Sequence, residues 1–254
     1  MEYSKKLFKE YRESHTIHSG ASDDRRVEYF ETMFRCDYQH IFEQIGKTSK
    51  ILEIGCNVGT MLGVLRRHGY INLEGIDLSP DDLKVANEEL PKDIPLHYAD
   101  AFDFLRDHKD EKYDCIFSRA VFEHIKKERL IELLELCKDS LAPGGVLVVD
   151  VPNMDWLIAY HERYMDFTHE CGYNSNSLGQ VMRSVFGNCE IYYTCEKRYP
   201  KGTGIGRRMM FGLGRLRTNI SRYILGKLFM WSLETPNEIA LFSKCIVGVC
   251  RKVG

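Results

Sequence analysis

The chain has 254 residues, a net charge of −2 at neutral pH, 44% hydrophobic residues and 28% charged residues. These values are ordinary for a soluble globular protein and predict one large domain, or one domain with an appendage. The small net charge gives no indication of a nucleic-acid partner. No stretch approaches the roughly 20 apolar residues of a membrane-spanning helix. The first six residues are polar or charged apart from Met1 and Tyr3, so we expect no signal peptide.

The nine cysteines are scattered, and none forms a CxxC pair. Several stand inside apolar stretches, such as those around Cys115 and Cys245. This pattern argues against a zinc site or a disulfide framework and is typical of reduced core cysteines in an intracellular protein. We therefore expect a cytoplasmic protein. Peripheral contact with the inner face of a membrane is the alternative, because the chain also contains a basic, partly apolar segment.

The stretch from Ile51 to Thr60 predicts a short buried strand, a glycine turn and the start of a helix. Gly55 and Gly59 have no Cβ atom, so a ligand can approach their backbone closely. The following helix offers free N–H groups and a partial positive charge at its N-terminus. The turn is therefore suited to the polar part of a nucleotide-like ligand.

Glu53 narrows the choice of ligand. The lysine of a phosphate-binding loop is missing, and Asn57 stands where a dinucleotide-binding turn has its second glycine. A carboxylate at the end of the strand would repel pyrophosphate but suits a cation such as an amino-acid ammonium group. The stretch Glu53-Ile54-Gly55-Cys56-Asn57-Val58-Gly59 resembles (D/E)-x-G-x-x-x-G, the first motif of class I S-adenosylmethionine-dependent methyltransferases. Asn57 is a mild departure at the usual middle glycine, and an ordinary strand–turn–helix is the alternative interpretation of this motif alone.

Strands and helices alternate after this motif. Further strands are predicted at 71–77, 94–98, 113–118 and 146–151. The alternation predicts a parallel sheet with helices on both faces, and such sheets bind ligands at the carboxyl ends of their strands. Polar side chains stand at four such ends: Glu53, Asp77, Asp100 and Ser118.

The resemblance extends over residues 48–153, through Ile76-Asp77, Ala99-Asp100-Ala101, Phe122-Glu123-His124 and Pro143-Gly144-Gly145. It implies S-adenosylmethionine as cofactor, with Asp77 on the ribose hydroxyls and Asp100 on the adenine amine. Asp77 stands 18 residues after Gly59, close to the spacing of about 20 in nucleotide-binding folds of this kind. A helix cap is the alternative role for Asp100. The implied cofactor-binding residues are Glu53, Gly55, Cys56, Asn57, Gly59, Asp77, Leu78, Asp100, Ala101 and Ser118.

The resemblance also implies the fold. It predicts an α/β, three-layer Rossmann-like fold with a seven-stranded sheet, strand order 3-2-1-4-5-7-6 and an antiparallel last strand. Two further strands are predicted at 190–195 and 246–250, with a helix at 177–186 before them.

The N-terminal region predicts helices. Apolar residues at helical spacing indicate a long amphipathic helix that begins near Ser22 and ends near Gly46. Its aromatic stripe favours either a core face or a lid over the ligand. We divide the chain into an N-terminal helical cap, residues 1–47, and a methyltransferase domain, residues 48–254. His15 and His18 before this helix form either a metal-binding pair or a solvated loop.

Residues 197–238 form a basic helical insertion between the last two predicted strands. From Lys197 to Leu233 there are nine Lys or Arg residues and no Asp or Glu, interleaved with apolar side chains. Three interpretations stay open: a cap packed on the domain, peripheral membrane contact through residues 205–233, and binding of an acidic substrate. The segment contains no recognised nucleic-acid reading module, so no nucleic-acid partner is expected.

Methyl transfer to an oxygen requires a base that accepts the hydroxyl proton. The candidate catalytic residues are His124 after the fourth strand, and His169 with Asp166 after the fifth; His161 is a further candidate. A purely structural role is the alternative for His124. Asp166 with the two histidines could also bind Mg²⁺ or another divalent ion, but nothing in the pattern requires this and we assign no metal ligand.

Two late stretches indicate an acceptor class. Asp166-Phe167-Thr168-His169 and Pro236-Asn237-Glu238-Ile239-Ala240 resemble methyltransferases of polysaccharide and O-antigen gene clusters. We therefore predict O-methylation of a sugar or glycan. The alternatives are a methyltransferase acting on another small molecule, of the quinone type or with a nitrogen acceptor, and a non-catalytic S-adenosylmethionine-binding protein. Glu53 and Asn57 argue against a nucleotide-dependent oxidoreductase.

Overall fold

A seven-stranded sheet forms the centre of this computed structural model, which describes residues 23–194, 220–221, 223–228 and 238–253. The strand order is β3-β2-β1-β4-β5-β7-β6. Strands β1 to β5 are parallel, and β7 runs antiparallel to both β5 and β6. The predicted fold is therefore confirmed. The strands are β1 (Ile51–Ile54), β2 (Leu73–Asp77), β3 (Leu96–Tyr98), β4 (Tyr113–Arg119), β5 (Leu141–Pro152), β6 (Cys189–Tyr193) and β7 (Cys245–Arg251).

Helices cover both faces of the sheet, as the alternation of elements predicts. They pack on two separate apolar clusters, one containing Leu52 and Ile54 and the other containing Ile51 and Phe117. Apart from the helical residues within 220–228, the α-helices that the structure describes are α1 (Asp23–Met33), α2 (Gln39–Phe42), α3 (Thr60–Arg67), α4 (Pro80–Glu89), α5 (Ala101–Asp107), α6 (Leu130–Ser140), α7 (Ala159–Tyr164), α8 (Ser175–Phe186) and α9 (Glu238–Phe242).

Strand β5 begins five residues earlier than its apolar run predicts. Leu141 pairs with Tyr113, and the register then shifts before Cys115. Gly145 makes this irregular start possible, since a Cβ atom there would lie 2.9 Å from the carbonyl oxygens of both Ala142 and Tyr113. The Pro143-Gly144-Gly145 stretch therefore lies within the strand, whereas the sequence favours a simple helix stop.

The predicted N-terminal helix is interrupted. A π-helical turn, Phe34–Tyr38, separates α1 from α2, and α2 ends before Gly46. The aromatic stripe is a core face: Phe34, Tyr38 and Phe42 are buried, and the Tyr38 ring lies edge-on to Phe117 of β4 with ring centroids 5.0 Å apart. The division at residue 47 stays a prediction, and His15 and His18 lie outside the described residues.

Most of the basic insertion, residues 197–238, also lies outside the described residues. Residues 220–221 and 223–228 are helical, and Ile220, Tyr223, Ile224 and Leu228 are exposed there. Membrane contact through residues 205–233 therefore stays a prediction. Among the helices that the structure describes, none combines the length and the apolar character needed to cross a membrane.

Candidate active site

Left-handed backbone shapes the turn after β1. Gly55, Asn57 and Gly59 have φ angles of +76°, +49° and +74°. A Cβ atom at Gly55 would lie 2.2 Å from Val121 Cγ2, and one at Gly59 would lie 2.4 Å from Leu90 Cδ1. Asparagine is among the few side-chain-bearing residues that adopt this region readily, which explains why Asn57 can replace the usual glycine.

Asp77 ends β2 beside this turn and is held in place by two backbone groups. The Asn57 N–H donates to Oδ2 at 2.8 Å, and the Ser79 N–H donates to Oδ1 at 2.7 Å. The Asn57 side chain also donates to Asp82 Oδ2 at 3.0 Å, which fastens the turn to α4. Each carboxylate oxygen has a further lone pair, so Asp77 can still accept hydrogen bonds from a ligand hydroxyl.

Glu53 is a buried carboxylate with an unsatisfied atom. Its side chain is only 4% exposed, and Oε2 has no hydrogen-bond partner among the residues described. Burial raises the pKa of Glu53 well above its usual value, and the charge of Asp77 raises it further. The hydroxyls of Ser118 and Thr60, at the end of β4 and the start of α3, are likewise buried without a described partner. Burying such polar groups costs free energy unless a ligand forms hydrogen bonds with them. A polar, cationic ligand would suit the Glu53 carboxylate and the two hydroxyls.

The remaining predicted cofactor residues lie around the same edge. Asp100 caps α5, since its Oδ1 accepts from the Phe102 N–H at 2.9 Å, and Ala101 begins that helix. This confirms the capping role and leaves the adenine contact a prediction. Leu78 is 39% exposed, so it can cover a ligand. Cys56 is buried and its thiol pKa is raised by burial and by Glu53, so it stays uncharged.

Binding of a cation near Glu53 should release a proton. Since the Glu53 pKa is raised in the free protein, a nearby ammonium group lowers it again, and affinity should increase as pH rises through this raised pKa. Calorimetric titration with S-adenosylmethionine in phosphate and in Tris should therefore give heats that differ with the buffer ionisation enthalpy. Glu53→Gln should remove this difference. Equal heats in both buffers with the unaltered protein would contradict the proton release.

A second cluster lies beyond β4, where two chain segments meet. His124 ends a 3₁₀ turn, Phe122–His124. The Glu123 carbonyl accepts from the Glu170 N–H at 2.7 Å and the Cys171 N–H at 2.9 Å, which ties the later segment to this turn. The rings of His124 and His169 consequently lie with centroids 4.7 Å apart. The structure therefore brings together residues that are 45 positions apart in the sequence.

Hydrogen-bond directions fix the tautomer of His124. Its Nδ1 lies 2.7 Å from Thr168 Oγ1, and that hydroxyl donates to Asp166 Oδ1 at 2.7 Å. A threonine hydroxyl carries one proton, so it accepts from His124, whose Nδ1 must carry the hydrogen. The lone pair of neutral His124 is therefore on Nε2, where it can accept a proton or bind a cation.

The other predicted catalytic residues differ in position: Asp166 and His169 lie at the cluster with His124, and His161 does not. Burial tends to raise the pKa of Asp166, but its bonds from Thr168 and the nearby histidines lower it overall, so the group is ionised near neutral pH. Burial lowers the pKa of His169 more than Asp166 raises it. His161 lies on α7 with an exposed side chain and is not part of the cluster.

Two buried carboxylates near the cluster, Glu123 and Asp150, and the half-buried Arg119 were given no role from the sequence. Glu123 is 2% exposed, and burial raises its pKa to about 8. Arg119 Nε lies 3.9 Å from Asp150 Oδ2, and the Tyr38 hydroxyl also donates to Asp150. A charged residue inside the apolar run of β5 is the signal that could have marked Asp150, since such a residue needs a buried partner.

Comparisons with known proteins agree with this fold. The plantazolicin methyltransferase BpumL, solved in complex with SAH, is 17% identical, with 99% of this chain and 96% of that chain covered and a TM-score of 0.63. A SAM-dependent methyltransferase from Archaeoglobus fulgidus is 21% identical, with 85% and 100% covered and a TM-score of 0.58. These likenesses show that the chain has the fold of S-adenosylmethionine-dependent methyltransferases.

The family follows from the sequence match. A family model described as a methyltransferase domain matches residues 29–185, more than half of the chain, and the chain belongs to this family. The 2-methyl-6-phytyl-1,4-hydroquinone methyltransferase of Synechocystis is 28% identical over 155 residues, which are 58% of this chain and 46% of the relative. A malonyl-[acyl-carrier protein] O-methyltransferase of Ilyobacter polytropus is 26% identical over 129 residues, 50% and 49% of the two chains. The match thus spans about half the length of these relatives.

Proposed function

We propose that this protein transfers a methyl group from S-adenosylmethionine to a hydroxyl oxygen of a sugar or glycan. The observation that carries the proposal is the oriented His124, whose Nε2 lone pair is fixed by the Thr168–Asp166 pair. Nitrogen acceptors with a free lone pair need no such group, whereas a hydroxyl must lose its proton. The cofactor supplies an electrophilic methyl group, which passes to the acceptor oxygen as its C–S bond breaks and the hydroxyl proton leaves toward this cluster.

The protein's own residues have separable roles in this reaction. Glu53 and Asp77 bind and orient the cationic and ribose parts of the cofactor. The cluster of His124 and His169 binds and polarises the acceptor hydroxyl, while Thr168 and Asp166 hold His124 in the required tautomer. Orientation and exclusion of water lower the barrier of a direct displacement.

Exposed aromatic side chains near the cluster support a ring-shaped acceptor. Tyr160, Tyr164 and Phe167 are 70%, 78% and 82% exposed, and Phe167 is adjacent to Asp166 and Thr168. Their faces suit stacking on a sugar ring. The same faces suit a quinol, and the Synechocystis relative carries a hydroquinone in its name; a quinol hydroxyl is therefore the second candidate acceptor.

Methyl transfer from labelled S-adenosylmethionine to three acceptor panels tests the proposal. The panels are nucleotide sugars and oligosaccharides, quinols, and primary amines. We expect labelled O-methyl sugars. Transfer to quinols alone would replace the sugar by the second candidate, and transfer to amines alone would overturn the hydroxyl acceptor.

Thr168→Val should slow turnover by about 10- to 100-fold, because an outer partner that orients a functional histidine contributes about that factor. Thr168→Ser retains the hydroxyl and is the matched control. The affinity for S-adenosylmethionine, measured by calorimetry, should be the same in both variants. If the valine and serine variants turn over equally fast, Thr168 does not position His124.

A further inference from the structure

A set of possible metal ligands lies within the second cluster. One ligand atom from each of Glu123, His124 and His169 lies within 4.8 Å of the other two. Ligand atoms around a tetrahedral ion at about 2.1 Å are about 3.4 Å apart, so side-chain movements of about an ångström would complete the set. The three residues come from two segments that the Glu123 backbone joins, so the fold itself assembles them.

Glu123 supplies an independent indication that this place takes a ligand. The side chain is 2% exposed, and Oε2 has no hydrogen-bond partner among the residues that the structure describes. A buried carboxylate without a partner is costly, and a cation compensates for it.

The surroundings of His124 match those of a metal-binding histidine. Ligand histidines commonly donate their second ring N–H to an oxygen that is itself hydrogen-bonded, which fixes the tautomer. His124 does this through Thr168 and Asp166, with both contacts at 2.7 Å. Its Nε2 is therefore preset with a lone pair, the form that binds a metal.

We propose that Glu123, His124 and His169 bind one divalent transition-metal ion. Two imidazoles and one carboxylate favour Zn²⁺, Co²⁺, Mn²⁺ or Fe²⁺ over Mg²⁺ and Ca²⁺, which prefer oxygen ligands. The charges also balance, since the carboxylates of Glu123 and Asp166 offset a divalent cation. The guanidinium of Arg119 also acts on Glu123, but it is ion-paired with Asp150 as well.

Three protein ligands leave a coordination position open. Resting on the proposed function, we assign this position to the acceptor hydroxyl, whose pKa the ion lowers in the way that bound metals lower the pKa of water. In the metal-bound protein the Nε2 lone pair of His124 binds the ion instead of accepting the proton, so the ion activates the hydroxyl and the proton passes to solvent. This extends the proposed function to a metal-assisted methyl transfer.

Cobalt titration tests the binding site without any need for activity. The tag-free chain of 254 residues is treated with a chelator, dialysed and titrated with Co²⁺ while the visible spectrum is recorded. We expect one equivalent to bind with a spectrum of nitrogen and oxygen ligands and without the strong thiolate band that cysteine ligands give. His169→Ala and Glu123→Gln should each weaken Co²⁺ binding by at least about 100-fold.

Matched variants serve as controls for the Co²⁺ titration. His161→Ala and the double variant His15→Ala/His18→Ala should bind Co²⁺ with unchanged affinity, and all variants should retain S-adenosylmethionine binding as a check of folding. Three results would overturn the site: absence of stoichiometric binding, a thiolate spectrum, or a Co²⁺ affinity in the His169 and Glu123 variants equal to that of the unaltered protein. Metal binding without glycan methylation would overturn the proposed function alone, and methylation by a protein that binds no ion would overturn the metal site alone.

Discussion

Asp77→Ala is expected to weaken S-adenosylmethionine binding by at least about 100-fold, because hydrogen bonds to a charged group contribute about 1.5–3 kcal/mol each. Asp77 is positioned by the N–H groups of Asn57 and Ser79, and each of its oxygens has a further lone pair for a ligand hydroxyl. The variant therefore loses the ligand contacts and also loosens the turn. Calorimetric titration measures the change in dissociation constant.

Two further variants separate these effects. Asp77→Asn keeps a hydrogen-bond acceptor of similar shape but loses the charge, so it should weaken binding by a smaller factor. Asp110→Ala removes an exposed carboxylate that precedes β4, at the opposite edge of the sheet, and should leave binding unchanged. An Asp77→Ala protein that binds as tightly as the unaltered chain would remove Asp77 from the cofactor site.

His124→Ala is expected to reduce turnover by about 100- to 10,000-fold, the range that a positioned acid–base group contributes. The reason is the fixed tautomer, since Nε2 then carries the lone pair that acts on the hydroxyl or on an ion that holds it. Affinity for S-adenosylmethionine should change little, because the predicted cofactor residues lie on other elements. Single-turnover kinetics with saturating cofactor measure the loss.

His161→Ala is the control for this prediction. His161, like His169, is a histidine after β5, but it lies exposed on α7 and outside the cluster. Its loss should therefore leave turnover unchanged. Comparable losses in the two variants would show that histidine removal in this region acts on folding rather than on the reaction.

The sheet could be predicted because its signals are local. The apolar run of β1, the glycine turn and the acidic residue ending β2 each follow from neighbouring residues, and their order along the chain fixes a parallel sheet. The two departures of the structure from the sequence-based prediction also have physical reasons. The early start of β5 depends on Gly145 packing against two carbonyl groups, and the π-helical turn before Gln39 contains Tyr38, which packs on the distant Phe117. Neither contact is visible in a local pattern.

The candidate site was predictable in part for the same reason. Glu53 and Asp77 stand at strand ends, so the topology alone places them together. His124 and His169 lie together because the Glu170 and Cys171 N–H groups donate hydrogen bonds to the Glu123 carbonyl. No spacing rule in the sequence predicts these backbone hydrogen bonds. Glu123 was quoted within a motif, but only its burial without a partner identifies it as a candidate ligand.

Calorimetric titration of the purified protein with S-adenosylmethionine, S-adenosylhomocysteine and NAD tests the central claim most directly. The account predicts that both sulfur compounds bind with one equivalent per chain and that NAD gives no binding heat, since Asn57 stands where a dinucleotide-binding turn has its second glycine. Binding of NAD, or no binding of either sulfur compound by a correctly folded protein, would contradict it.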